Sequence, residues 1–477
     1  MPAITPRGRM TAGQPERGLG VDIGSSKLVA ATLPLGDEHS GKSLPVLVRN
    51  SLSNDSTPLA VVFGSGFHRE LGEAAADTPA SNAANLVRAF VPRLGAPGAK
   101  GACSIPIDGE AVESVRLEQV LAMLLKRQPR NLKAQTSLGA SHLVLAVPPA
   151  LATQPGGIAA VQSAAKIADG ARALLPEDAP GSELPVCTKV CTSTSALAYH
   201  YAERHAADLA AAAQPTTVLI VDVGHLACSA VVARFSPIAQ PQEGEAGMQI
   251  QILAEGGNFE VGGGVFDGVL SSHLTAQLVK EHGTEACSGT KFRFRLDKAC
   301  ERLKTLLSTV DPAKVDSDSL VPDKDCRLVV TRKEWDAMLA PSLAHLQALL
   351  AKVLADSGVE AAALAGVEVV GGGSRVPCVQ ELIARSAKQS ALRHTLDSSA
   401  AVALGAAGMC KLLEKGNHVA LTVCGHAPWV DVVGEEMCGA ELEAAVVLEA
   451  RCVLEESACL SYQRLVMCMP LSACISV

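Results

Sequence analysis

The same short pattern occurs twice in this chain, 200 residues apart. An apolar strand ends in Val-Asp-(Ile/Val)-Gly, turns tightly, and a second apolar strand follows. The first copy is Gly20-Val21-Asp22-Ile23-Gly24-Ser25-Ser26-Lys27, running into LVAATL. The second is Val221-Asp222-Val223-Gly224-His225, preceded by TTVLI and followed by ACSAVVARF. An internal repeat sets architecture before any local detail does. Here it predicts two related lobes of α/β structure, each offering a hairpin tip with backbone N–H groups and one carboxylate. Two such tips facing each other across a cleft would hold a polyphosphate and its metal from both sides.

Composition narrows what the lobes can meet. At 477 residues the chain has room for two or three domains, and a hydrophobic content of 48% supplies large cores. A net charge of −8 argues against nucleic acid as the main partner, because phosphate backbones are bound with excess Lys and Arg. No continuous apolar run reaches the roughly 18 residues that span a bilayer, so no membrane partner is expected. Residues 1–17 carry Arg7, Arg9 and Arg17 without an apolar stretch, and read as a disordered leader and not a signal peptide. The expected compartment is the cytoplasm, where the 15 cysteines would be reduced.

The first lobe is expected over 18–215 and the second over 216–413. In the first, LGVDIG, KLVAATL, PVLVRN and PLAVVF read as strands and SNAANLVRAFV as a helix. Further helices are expected at 116–128, 158–174 and through STSALAYHYAERHAADLAAAA, with HLVLAVP a buried strand. In the second lobe QIQILAEG, CRLVVT and VEVV read as strands. Helices are expected through FDGVLSSHLTAQLVKEH, 292–308, 333–357, VQELIARSA and SSAAVALGAAGMCKLL. After 413 the character changes. Residues 414–477 hold six of the cysteines and show no period, and are read as a separate Cys-rich tail.

Asp22 and Asp222 at strand ends are candidate Mg²⁺ ligands, since Mg²⁺ takes one or two carboxylates and keeps waters or phosphate oxygens. They are also the best catalytic candidates. Gly24, Ser25, Ser26 and Lys27 on one tip, and Gly224 and His225 on the other, offer donors to phosphate, as do the glycines at Gly262 and Gly263. The alternative is that each Asp only stabilises its turn. Gly371-Gly372-Gly373-Ser374-Arg375 joins a strand to a helix and lets a planar base or ribose approach the backbone, with Arg375 available to stack. A plain tight connection reads equally well. Glu301, Lys304 and Ser308 share one helical face and can grip a ribose and base edge, or form a solvated stripe.

A competing pattern lies at Gly36-Asp37-Glu38-His39-Ser40-Gly41-Lys42-Ser43, which matches the P-loop spacing. It places Asp37 and Glu38 where phosphates would sit, and β-rich sequence follows where a helix N-terminus is required. Cys187-x₃-Cys191 and Cys424-Gly425-His426 have loose metal-like spacing but lack a four-ligand set.

With these residues in place, the chain resembles the ATPase domain of the heat-shock protein 70 family, of the actin-like ATPase superfamily, and most closely its 110-kilodalton branch. The likeness covers about residues 18–413. GVDIGSSKLVAA looks like the first phosphate loop, and VLIVDVGH like the second, with His225 in the form typical of the larger branch. NSLSNDSTPLAVVFG, LAVPPAL and ALAY match further landmarks, and KACERLKTLLS and VVGGGSRVP are similar to the adenosine-binding segments. The resemblance implies two lobes of duplicated ribonuclease-H-like sheets around a cleft that binds ATP or ADP with Mg²⁺. It also implies a stress-response chaperone or co-chaperone that promotes nucleotide exchange on a heat-shock protein 70 partner.

The sequence departs from that family where hydrolysis is performed. The catalytic lysine aligns with Val91, the glutamate before ALAY with Cys191 or a neighbour, and two acidic positions with Ser229 and Ser399. Weak or absent hydrolysis is therefore expected, with Lys27 and Lys100 as substitute cations. Residues 414–477 do not read as the family's peptide-binding sandwich. An active ATPase or small-molecule kinase of the superfamily, and a P-loop NTPase, stay open as alternatives.

Overall fold

In the computed structural model the repeated hairpins open two separate sheets of matching topology. The described residues are 17–35, 43–64, 69–106, 112–170, 187–237, 248–322, 324–413, 419–423 and 429–431. The strands that build the first sheet are β1 (Arg17–Ile23), β2 (Lys27–Pro34), β3 (Val46–Val48), β4 (His142–Val147) and β5 (Cys187–Thr192). The helix α1 (Ser193–Arg204) follows directly, with the Thr192 hydroxyl accepting from the Ser195 amide as its N-cap. The second sheet uses β6 (Thr216–Val223), β7 (Cys228–Pro237) and β8 (Met248–Asn258). Then come α2 (Gly263–His282), α3 (Gly289–Leu307), α4 (Arg332–Ser357), β9 (Gly366–Val370) and α5 (Ala401–Met409). The short strands β10 (Val419–Val423) and β11 (Trp429–Asp431) end the described chain.

The first sheet runs β11-β5-β4-β1-β2-β3 and the second β9-β6-β7-β8-β10. In each, the hairpin and its third strand are antiparallel and the next strand adds parallel to the first. The correspondence extends to register. Asp22 sits opposite Val29 and Ala146, and Asp222 opposite Ser229 and Val370.

Strand alternation explains the cores. Leu219, Val221 and Val223 face a core built with α2, α3 and α4, where Phe266, Leu303, Trp335 and Leu350 are buried. Val218 and Ile220 face the opposite way, into a second core that they share with β2, α1 and α5. Asp222 belongs to that second face by parity and stands at its upper end, as Asp22 does on β1. Alanine-rich α5 can lie this close because small residues meet it. A Cβ on Gly20 would fall 2.0 Å from the Ala407 amide nitrogen, and one on Gly405 would fall 1.9 Å from the Ala196 carbonyl oxygen. The long helix α4 passes a length-and-composition test for a membrane span, and its Trp335, Leu339, Leu346, Leu350 and Val353 are buried in the core of the second sheet.

Several expectations are corrected. SNAANLVRAFV is a 3₁₀ turn (Ala80–Asn85) followed by the strand Leu86–Arg88, which pairs with Ala60–Val62. The Asn85 side chain donates to the Phe63 carbonyl at 2.9 Å, so tertiary bonding overrides the helical spacing. Within the segment read as a separate tail, β10 pairs with β8 and β11 with β5, adding one edge strand to each sheet. The P-loop residues 36–42, and Cys424 and His426, lie outside the described residues. Downstream of Ser43 the first regular element is β3 and not a helix, which removes the support a P-loop requires.

Candidate functional site

Asp22 and Asp222 are the penultimate residues of β1 and β6, and the two hairpin tips meet. The Leu226 amide, on the second tip, donates to the Ser25 hydroxyl of the first at 2.8 Å. Burial raises the Asp22 carboxyl to about 7, the charge of Asp222 adds to the shift, and Lys27 opposes it. Burial alone raises Asp222 to about 6. Two carboxylates sharing a desolvated cleft resist ionising together, and a divalent cation would relieve both.

The second tip is packed around by the other predicted segments. The Gly224 amide closes its own turn on the Ala227 carbonyl at 2.9 Å. Gly263 donates to the Gly224 carbonyl at 2.9 Å and Gly264 to the His225 carbonyl at 2.6 Å. Lys304 on α3 donates to the Gly263 carbonyl at 2.9 Å and pairs with Asp267 at 2.6 Å. Gly371 has φ +84°, and a Cβ there would fall 2.3 Å from Asp222 Oδ1; one on Gly373 would fall 2.8 Å from the Gly224 carbonyl oxygen. Glycine at 371 is therefore required both by backbone conformation and by space. Ser374 donates to the Gly371 carbonyl at 2.7 Å and holds the turn. Gly262, Gly263, Lys304, Gly371 and Gly373 thus converge on Gly224, His225 and Asp222.

The remaining predicted residues are peripheral to that convergence. Ser26 is exposed and its carbonyl accepts from Leu59 at 2.8 Å. Gly24 sits against the Lys27 carbonyl. Glu301 is exposed on α3, yet its charge reaches both His225 and Asp267. Ser308 ends α3 and donates to the Lys304 carbonyl at 3.3 Å. Gly372 and Arg375 are exposed, and a Cβ on Gly372 would meet nothing within 4 Å.

His225 is held neutral. Burial, then the charge of Lys304, push it down to about 4, Glu301 opposes, and Arg88 lowers it further. Arg88 also reaches across to α3, 3.2 Å from Asp297. Val91 is fully buried, so no cation stands there. Lys27 is half-buried with its charge felt by Asp22 and Asp397, whereas Lys100 is exposed in a turn whose carbonyl accepts from Arg93 at 2.9 Å. Of the two substitute cations, only Lys27 acts on the carboxylate pair. Cys191 is a buried thiol pushed well up by burial and by Glu255. Ser399 donates to Asp397, which caps the turn before α5.

Three residues escaped sequence reasoning. Asp267 is half-buried beside Lys304, with burial raising it to about 6, and its Oδ1 is buried with no hydrogen-bond partner. Glu255 on β8 accepts from the Thr192 hydroxyl at 2.9 Å and from Thr194, tying the second sheet to the N-terminus of α1. Arg88 is the third. Each is a lone charged residue in an apolar or glycine-rich run, and only the F-D that follows the Gly262–Gly264 turn hinted at Asp267.

The donor set fits Mg²⁺ and a polyphosphate. Among the described residues no group of three or more His, Cys, Asp or Glu surrounds a single point, which excludes an all-protein cage there. Two carboxylates with phosphate oxygens and water suit Mg²⁺, and the Asp267 Oδ1 beside Lys304 is buried without a hydrogen-bond partner.

Comparison with known proteins agrees with this architecture. The family described as "Hsp70 protein" matches residues 186–424, half of the chain. The chain belongs to the heat-shock protein 70 family and has its actin-like ATPase fold. Its relatives point to the larger branch. It is 28% identical to heat shock protein hsp88 of Neurospora crassa over 83% of this chain and 54% of that one. It is 25% identical to heat shock 70 kDa protein 4 of Rattus norvegicus over 83% and 45%. To heat shock 70 kDa protein 16 of Arabidopsis thaliana it is 30% identical over 43% of this chain and 26% of that one. The chain thus spans between about a quarter and just over half of the length of these relatives.

Proposed function

We propose that this chain binds ATP or ADP with Mg²⁺ between its two hairpin tips, and that it acts as a 110-kilodalton-type co-chaperone. Its lobes, 18–215 and 216–413, would engage a heat-shock protein 70 partner in the cytoplasm and promote release of that partner's nucleotide. The observation that carries the reading is the meeting of the Asp22 and Asp222 tips beneath the Gly371–Gly373 turn. The names and family of the relatives support the chaperone class.

In this reading Asp22 and Asp222 hold the metal, and Gly24, Ser25, Ser26, Lys27, Gly224, His225, Gly262 and Gly263 face the phosphates. Glu301, Lys304, Ser308, Gly371, Gly372, Gly373 and Arg375 surround the nucleoside. Hydrolysis is weak because Val91 offers no cation to the transferring phosphoryl group.

The test is a stopped-flow assay of fluorescent ADP leaving a heat-shock protein 70 ATPase domain, with this protein added in its ATP-bound form. Release accelerated by at least about tenfold, and lost with Asp222→Asn, is expected. Release unaffected by the protein would sink the co-chaperone role.

A further inference from the structure

The clamp closes on itself. Around the second tip the Gly263, Gly264 and Leu226 amides all donate to acceptors of the chain itself. Gly263 and Gly264 donate to the Gly224 and His225 carbonyls, which are neighbours on the same side of the cleft. The Leu226 amide is different, because its acceptor, Ser25 Oγ, comes from the opposite hairpin, 201 residues away. The bond is 2.8 Å long and Ser25 is only 4% exposed.

Repeat symmetry makes the contact more specific. Residues related by the 200-residue offset are Ser25 with His225 and Ser26 with Leu226. The first tip carries a short hydroxyl where the second carries an imidazole. The imidazole ring lies against Gly264; a Cβ there would fall 2.5 Å from His225 Nε2. The charges felt by that ring are those of Lys304, Glu301 and Arg88.

We infer that the Ser25–Leu226 hydrogen bond is a built-in closure of the cleft, in which the serine oxygen occupies the place of a ligand oxygen on the second tip. An incoming phosphate must break it to reach the Leu226 amide. This rests on the nucleotide reading only for the identity of the ligand. The closure itself is made by the chain's own atoms. Below the tips the two sheets stay joined, by the core shared through α1 and α5 and by the Glu255 carboxylate bound to Thr192 and Thr194. Opening is thereby confined to the tips and what lies above them.

The full chain is tested in three forms: wild type, Ser25→Ala, and Ser25→Thr, which keeps the hydroxyl. Hydrogen exchange is followed without nucleotide over peptides spanning 223–228, with the β6 core as an internal measure of folding. Association of Mg²⁺ and fluorescent N-methylanthraniloyl-ADP is then followed by stopped flow. Loss of one hydrogen bond makes the Leu226 amide exchange roughly fivefold faster in Ser25→Ala, while Ser25→Thr matches wild type. The association rate rises in Ser25→Ala by a similar factor, whatever happens to dissociation. Equal exchange at Leu226 in all three forms overturns the closure. Faster exchange with an unchanged association rate overturns its role as a barrier to the ligand. The expected exchange pattern with no nucleotide binding in any form upholds the closure and rejects the nucleotide reading.

Discussion

The first tip turns through Ser25, Ser26 and Lys27, and the second through His225, Leu226 and Ala227, on the same Asp-x-Gly backbone in the same register. Their settings differ. The second is enclosed by Gly262–Gly264, Lys304 and the Gly371–Ser374 turn, whereas the first has an exposed Ser26 and a half-buried Lys27 beside it. Burial raises both carboxyls, and the repulsion between them is shared. A duplicated scaffold therefore fixes where two carboxylates stand, while the segments inserted after each hairpin decide how far each tip is enclosed.

The comparison breaks most severely one turn of the pleat below the carboxylates. Position 20 is glycine under the α5 backbone, and its counterpart at 220 is a buried isoleucine. Gly20→Ile has no space to occupy and is expected to prevent folding, seen as loss of the cooperative urea transition. Ile220→Val should cost only about 1 kcal/mol. Comparable stability for the two variants would show that the sheets pack on α5 in the same way.

Lys304 supports the second tip alone. It and Asp267 are 16% and 15% exposed, so Lys304→Ala strands a buried carboxylate that already has one unpartnered oxygen. A destabilisation of about 3 kcal/mol is expected, largely recovered by adding Asp267→Asn. No recovery in the double variant would mean that Lys304 acts through packing of its stem.

pH tests the carboxylate pair. Both folded carboxyls stay protonated where the unfolded chain has ionised, so the metal-free protein loses stability as pH rises from about 3.8 towards 7. His225 acts oppositely. Its folded value near 4 lies below the usual 6.5, so the stability it withholds at low pH returns as pH rises through that window. Above 6.5 the raised carboxyls set the slope, Asp267 near 6 among them. Between pH 6.5 and 7.5 the unfolding free energy should fall by on the order of 1 kcal/mol, and Asp22→Asn and Asp222→Asn should each flatten that slope, because either one removes the shared repulsion. An unchanged slope in both variants would show that the tip carboxylates do not set it.

The smallest effect is expected at the rim. Arg88 and Asp297 are 45% and 35% exposed, and Arg88→Ala should cost less than about 1 kcal/mol while loosening the contact between the strand Leu86–Arg88 and α3. Its measure is hydrogen exchange over 86–88 and 293–298, faster in the variant.

Much of this was legible because the apolar signals were long. The apolar runs of β1, β2, β6 and β7, buried on both faces, and the apolar stripes of α2, α3 and α4, buried on one, are each set by what they pack against. What was not legible was decided by distant partners. Leu86–Arg88 is a strand because Ala60–Val62 lies beside it. The polar sequence of β5, CTKVCT, gives no alternation signal, yet it is a strand between β4 and β11. Glu255 and Asp267 are single carboxylates whose meaning depends on Thr192, Thr194 and Lys304, residues far off in the chain. The two aspartates were readable because they were repeated.

The central claim is that the two tips form one metal–nucleotide clamp. Calorimetric titration of ATP, with and without Mg²⁺, into the full chain and its Asp222→Asn variant tests it most directly. The account predicts Mg²⁺-dependent binding to the wild type, weakened at least about tenfold by the substitution. Binding that ignores both Mg²⁺ and the substitution, or no binding at all, would contradict it.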